Sequence, residues 1–196
     1  MTGENMSQYE IISEGGEKIL LYGGERIKIL IPESELEEKI KELGARITRD
    51  YSGRDLVIIS VLRGSFIFLA DICREIKMPV IFDFMAVSSY GDSKVSSGVV
   101  RITKDLEFSI EGSEVLIIED IVDSGRTLNY LIKNLNARNP RSIEICALLD
   151  KDVPRKMENR VKYKGFDIPN KFVVGYGLDF AEKFRNIPFI GYIENE

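Results

Sequence analysis

Apolar positions along this chain follow two spacings, and the switches between them mark out its elements. Nearly continuous apolar runs of strand length recur: IKIL with Ile31 (27–31), LVIISVL (56–62), a stretch over 79–87, VLII (115–118) and a stretch over 143–149. Runs of this kind suit a sheet covered on both faces. Between them apolar residues return at helical spacing. Leu36, Ile40, Leu43 and Ile47 form one stripe behind Pro32, with Ser34 as cap and Glu37 three residues on, a capping-box pattern; Gly44 leaves the end of that helix open. SFIFLADICREI (65–76) predicts a second helix, and Leu128, Leu131, Ile132 and Leu135 a third, ended by Pro140. SSYGDSKVSSG (88–98) is small and polar, a loop with a returning strand over 99–103. The order strand, helix, strand, loop, strand, helix, strand predicts an α/β domain with a largely parallel sheet. The last 45 residues are strand-like and punctuated by glycine, and read as a smaller lobe.

Composition narrows the chemistry. A length of 196 residues fits one domain with a small appendage, large enough to need no disulfide or metal staple. Two isolated cysteines, Cys73 and Cys146, make neither a disulfide framework nor a zinc cluster. Histidine is absent, which removes Ser-His-Asp and Cys-His hydrolases and every His-liganded metal site. Acid–base work must come from carboxylates, lysine or tyrosine. The formal charge of −5, with the basic residues dispersed, disfavours broad nucleic-acid binding. No apolar run is long enough to span a bilayer, and MTGENMSQYE lacks the basic and apolar regions of a signal peptide, so a cytoplasmic, reducing setting is expected.

The segment VLIIEDIVDSGRTL (115–128) carries the densest chemistry. In a parallel sheet, ligands bind at the loop after a strand's carboxyl end. This loop holds three carboxylates, Glu119, Asp120 and Asp123, and then Ser124, Gly125, Arg126 and Thr127 where a helix begins. A helix start offers backbone N–H groups and a positive dipole, and glycine permits close approach, so a phosphate fits there. Carboxylates accept from hydroxyls while amides donate to phosphate, a combination suited to a sugar phosphate. Taken singly, each acidic residue reads as well as a solvated strand end or a helix cap. No Walker loop and no GxGxxG is present.

VLIIEDIVDSGRTL resembles the phosphoribosyl-pyrophosphate (PRPP) binding signature of the type I phosphoribosyltransferases. VLRGSFIFLADICREI, DFMAVSSYG, CALLDK and FVVGYGLDFAEKFRNIPFIG follow in the order found in the bacterial hypoxanthine-guanine branch, covering roughly 27–192. The resemblance implies the type I phosphoribosyltransferase fold: a largely parallel central sheet flanked by helices (core about 36–150), a hood of about 151–196 with the N-terminal segment, and a flexible lid over 88–98. It implies transfer of ribose 5-phosphate from PRPP to hypoxanthine or guanine, releasing pyrophosphate and giving IMP or GMP.

By the same resemblance, Glu119 and Asp120 hold the ribose hydroxyls. Asp123 is the general base at the purine N7, and Ser124, Gly125, Arg126 and Thr127 cradle the 5′-phosphate. Leu62, Arg63 and Gly64 match the pyrophosphate loop, which in the family often carries a non-proline cis peptide, and Arg185 adds a second clamp. Lys151 donates to the purine O6. Phe172 stacks on the base, Val173 supplies backbone groups to its edge, Ile121 packs on the other face, and Asp179 completes the purine pocket. Ser89 and Tyr90 belong to the lid. Mg²⁺ is implied, with Asp179, Glu119 and Asp120 as its carboxylates and substrate oxygens as most of its ligands. The implied partners are PRPP and a 6-oxopurine, with neither nucleic acid nor membrane, in a homodimer or homotetramer. Two other readings remain: a transferase for another base, and a PRPP-sensing regulator, which would need an exposed basic face.

Overall fold

The computed structural model describes residues 10–89, 100–154 and 160–194. In chain order the elements are β1 (Glu10–Glu14), β2 (Glu17–Tyr22), β3 (Glu25–Ile31), α1 (Glu33–Tyr51), β4 (Leu56–Leu62), α2 (Phe66–Glu75), β5 (Ile81–Ser89), β6 (Val100–Lys104), β7 (Glu114–Val122), α3 (Arg126–Asn136), β8 (Ser142–Lys151), β9 (Tyr163–Ile168), β10 (Val173–Val174) and β11 (Ile190–Ile193). The described residues up to Glu37 and from Lys171 onward form one compact unit, and Glu38–Asn170 form the other.

The larger unit is built on a six-stranded sheet, β6-β5-β4-β7-β8-β9. Every neighbouring pair is parallel except the β5/β6 hairpin at one edge. The apolar runs explain why: β4 and β7 lie at the centre, and their side chains are buried on both faces. Val57, Ile59, Val61, Val115 and Ile117 pack with Leu128, Leu131, Ile132 and Leu135 of α3. Their alternates Ile58, Leu116 and Ile118 are fully buried and point to the opposite face, as strand periodicity requires. The crossovers β4–α2–β5 and β7–α3–β8 run in opposite directions along the sheet, so right-handed connections put α2 and α3 on opposite faces.

Helix α1 departs from expectation at both ends. The Pro32 carbonyl accepts from the Glu35 and Leu36 amides, so the helix starts at Glu33 and Ser34 lies inside its first turn rather than capping it. It then runs through Gly44 to Tyr51. A Cβ on Gly44 would lie 2.4 Å from the Glu75 Cβ, so the glycine is what lets α1 approach the end of α2 this closely. That tertiary contact outweighs the roughly 1 kcal/mol helix cost of glycine.

Three further differences bear on the site. The strand expected over 79–87 begins at Ile81 and reaches Ser89. The strand expected over 115–118 continues through Glu119 and Asp120 to Val122, because pairing of Glu119 with Ala147 and Ile121 with Leu149 extends the ladder past the apolar run. Residues 151–170, expected in the hood, belong to the larger unit: β9 pairs in parallel with β8, and Lys151 is itself the last residue of β8.

In the smaller unit β1, β2 and β3 form an antiparallel meander, and β11 joins β3 and β10. Leu20, Ile27, Val174, Phe184, Ile187 and Phe189 make its core. The chain between β10 and β11 is not helical. It is an irregular loop with positive φ at Tyr176, Ala181, Glu182 and Phe184.

Candidate active site

In the larger unit β4 and β7 are parallel neighbours whose following connections leave in opposite directions. That is the topological switch point of an open α/β sheet, where a crevice opens beyond the carboxyl ends. The sheet delivers Arg63 and Gly64 there from β4, and Glu119, Asp120 and Asp123 from β7.

The Leu62–Arg63 peptide is cis. Arg63 is exposed, and Gly64 approaches the neighbouring strand so closely that a Cβ on it would lie 1.6 Å from the Asp120 Oδ2. Asp120 is held in turn, its Oδ1 accepting from the Ile121 amide at 2.8 Å. Glu119 is 8% exposed, and its buried Oε2 has no hydrogen-bond partner among the described residues. Burial, and secondarily the negative charge of Asp120, push its carboxyl well above the usual carboxylate range. An orphaned buried acceptor beside a second carboxylate is suited to hydroxyl donors or to a cation.

Beyond Val122 the chain turns sharply. Asp123 and Ser124 are exposed, Gly125 takes a left-handed φ of 74°, and α3 starts at Arg126 with no side-chain cap. A residue with a Cβ would be disfavoured at Gly125. A concavity of about 250 Å³ is lined by Glu119 to Gly125, Thr127 and Leu128. Arg126 is exposed and outside that lining, so its expected share in the cradle is its backbone amide.

At the end of β8, Lys151 Nζ lies 3.0 Å from Asp123 Oδ2. The lysine side chain is mostly buried and the aspartate half-exposed, so the ammonium is directed at the β7–α3 turn. A second concavity, of about 660 Å³, lies along Asp150 to Val153 and Asp167 to Pro169. Ile121 is half-buried and lines the smaller one.

The smaller unit holds the remaining expected residues. Phe172 is exposed and meets Phe180 edge to face at 5.8 Å. Val173 is buried in β10, opposite Tyr192. Arg185 ties the irregular loop together: it pairs with Asp179 Oδ1 at 2.6 Å and donates to the Gly177 carbonyl at 2.7 Å. Asp179 Oδ2 accepts from the Glu182 amide at 2.9 Å. Ser89 ends β5 in register with Val100, whereas Tyr90 and most of the expected lid lie outside the described residues.

Among the described residues no three acidic or cysteine side chains are grouped as a metal cage. Glu119, with its orphaned oxygen, and Asp120 fit the alternative, a Mg²⁺ bound mainly through substrate oxygens and water with one or two carboxylates. The expectation missed a buried hydroxyl pair, Ser60 and Ser65, behind the Arg63–Gly64 turn. The available signal was a lone serine inside the apolar run of β4.

The raised Glu119 carboxyl has a consequence for stability. Its proton is retained in the folded chain at a pH where the unfolded chain, near about 4.3, has released it. Stability therefore falls as pH rises from about 4 through the raised value. Glu119→Gln is expected to raise stability at pH 7 by roughly 1–2 kcal/mol and to flatten that decline, while weakening PRPP binding. Urea melts between pH 4 and 8 measure both; an unchanged midpoint and slope would contradict the uncompensated buried charge.

The phosphoribosyl transferase domain family matches residues 31–181. The chain is 48% identical over 185 residues to a hypoxanthine-guanine phosphoribosyltransferase of Mycobacterium tuberculosis, covering 91% of this chain and 92% of that one. It is 50% identical over 169 residues to the bifunctional protein TilS/HprT of Listeria monocytogenes, covering 86% of this chain but only 26% of the longer protein. The crystal structure of a hypoxanthine phosphoribosyltransferase from Staphylococcus aureus superposes with a TM-score of 0.80 at 46% identity, covering 85% of this chain and 90% of that one.

Proposed function

The chain belongs to the phosphoribosyl transferase domain family, and we propose on that premise that it moves the 5-phosphoribosyl group from PRPP to hypoxanthine or guanine, giving IMP or GMP and pyrophosphate. One observation carries the site: at a single carboxyl edge, β7 and its turn present three carboxylates, a tight glycine turn and an uncapped helix start. These are the acceptors and donors that a phosphorylated sugar requires.

The C1′–pyrophosphate bond breaks as a purine nitrogen bonds to C1′, with positive charge on the ribose in between. Glu119 and Asp120 accept from the ribose hydroxyls and place a negative field beside that charge. Ser124, Gly125 and Thr127, with the Arg126 amide, hold the 5′-phosphate. Arg63, Gly64 and Arg185 receive the pyrophosphate, and Asp123 takes the proton from the purine N7. Lys151 donates to O6, Ile121 and Phe172 contact the ring faces, and Val173 offers backbone groups to its edge.

Glu119 and Asp120, together with substrate oxygens, would hold a Mg²⁺, whose charge would supply neutralisation of the leaving pyrophosphate. Asp179 would join it only through lone pairs not already engaged by Arg185 and the Glu182 amide. The chain acts in the cytoplasm as a homodimer or homotetramer; Cys73 and Cys146 are free thiols, and no helix among the described residues is long and apolar enough to cross a membrane.

The test is a panel of hypoxanthine, guanine, xanthine, adenine, uracil and orotate with PRPP and Mg²⁺, following nucleotide and pyrophosphate. IMP and GMP are the expected main products. PRPP binding without turnover of any base would favour a regulator. Lys151→Ala is expected to raise the KM for hypoxanthine by roughly 10- to 100-fold, the scale of a lost charged hydrogen bond, with PRPP affinity within about twofold. A fall in PRPP affinity instead would assign Lys151 to another subsite.

A further inference from the structure

Ser60 and Ser65 flank the Arg63–Gly64 turn, and neither behaves as its position would lead one to expect. Ser60 sits in the centre of the sheet, level with Ile118 on one side and Phe84 on the other, and is 0% exposed. A hydroxyl at such a position gives no stabilising advantage over a methyl unless it has a partner to serve. Ser65 occupies the N-cap position of α2, where serine ordinarily bonds to a first-turn amide. It makes no such bond and is also 0% exposed. Its Oγ turns back to donate to the Val61 carbonyl, at the last buried level of β4, and lies 2.7 Å from the Ser60 Oγ. Since the single hydroxyl proton of Ser65 goes to Val61, Ser60 is the donor between the two serines.

The result is a closed clip. The chain leaves β4 at Val61, passes through Leu62, Arg63 and Gly64, and returns at Ser65 to the carbonyl it left, with Ser60 fixing the orientation of Ser65 from behind. The turn so closed has little freedom, because Gly64 already lies against the Asp120 carboxylate with no room for a Cβ. A small outward shift of the turn would separate Arg63 and Gly64 from Asp120, and with them the pyrophosphate contacts from the ribose contacts.

Resting on the transferase reading above, we propose that Ser60 is a positioning residue for PRPP: through Ser65 it holds the Arg63–Gly64 turn against Asp120 without touching substrate. The hydroxyl acts on one substrate only, since the purine contacts lie on other elements.

Steady-state kinetics of Ser60→Ala, Ser65→Ala and the double variant, each with a thermal melt, test this. Ser60→Ala is expected to raise the KM for PRPP by roughly three- to tenfold, the scale of one lost hydrogen bond, with the KM for hypoxanthine within about twofold. In the Ser65→Ala background the same substitution should add nothing, because the pair acts as a unit. An unchanged KM for PRPP, an equal rise for both substrates, or additive effects in the double variant would each overturn the assignment. Should Ser60→Ala fail to fold, Ser60→Cys, which keeps a weaker donor of similar shape, carries the test: a rise confined to PRPP is expected, and no rise overturns it. A wild-type chain that forms no nucleotide from PRPP and any base would overturn the transferase reading itself, an outcome distinct from normal variants of an active enzyme.

Discussion

Asp123→Ala is expected to lower turnover by roughly 10²–10⁴-fold while leaving PRPP binding within a few-fold of wild type. The range is that of a general base removed from an otherwise intact site. Its position makes the separation clean. The residue lies on an exposed turn, and its carboxylate pairs with Lys151, whose side chain is mostly buried. Removing the carboxylate takes one partner from that ammonium, so a modest loss of stability is expected beside the kinetic effect, and a thermal melt of each variant separates the two. Asp123→Asn sharpens the result, because an amide still accepts from Lys151 yet cannot take a proton at neutral pH. Both variants should therefore fall together in kcat. PRPP affinity by calorimetry and single-turnover rates with hypoxanthine measure the two halves. Turnover within tenfold of wild type would remove Asp123 from its assigned role. A parallel collapse of PRPP affinity would move it to the phosphoribosyl subsite.

The second large effect comes from a methyl group. Gly64→Ala places a Cβ 1.6 Å from the Asp120 Oδ2, well inside any allowed contact. Asp120 can turn away only by giving up the bond its other oxygen accepts from the Ile121 amide. Either that carboxylate or the Arg63–Gly64 turn must move, and displacements of about 1 Å at a site of this kind cost roughly 100-fold. A loss of that size in kcat/KM for PRPP is expected, with a smaller loss of stability because the turn lies at the end of the sheet. Gly125→Ala provides the contrast. There the difficulty is a left-handed backbone and not an overlap, so the cost is about 1–2 kcal/mol, near tenfold. A loss in Gly64→Ala no larger than that in Gly125→Ala would contradict the role given to the overlap with Asp120.

How far the sequence carries follows from the range over which each signal acts. LVIISVL over 56–62 becomes β4 with the same ends, because a continuous apolar run can be satisfied only by burial on both faces. The acidic turn before Ser124 was legible for a similar reason: charge density and a glycine at a strand-to-helix junction are local properties. Ser34 misled because its capping pattern competes with the Pro32 carbonyl, which already serves the first amides of α1. β9 lies in the other unit from the one expected, because the short pattern of Tyr163, Phe166 and Ile168 marks a strand without saying which sheet it joins, and its place comes from pairing with β8.

By itself, then, the sequence determined the alternation of strands and helices, the reading of a parallel sheet, the exclusion of histidine chemistry and the turn on which phosphate chemistry is expected. Each of these rests on neighbours in the chain, through periodicity, composition or turn geometry. The tertiary structure decided what depends on distant partners meeting. It brought Lys151 to Asp123 from 28 residues away. It set the Gly64 turn against Asp120, left the buried Glu119 oxygen without a partner among the described residues, and closed the Ser60–Ser65 clip. Those contacts follow from which strands are adjacent and how far each one runs past its neighbour, and the energy that selects them is burial summed over a whole sheet, which no local window of sequence contains.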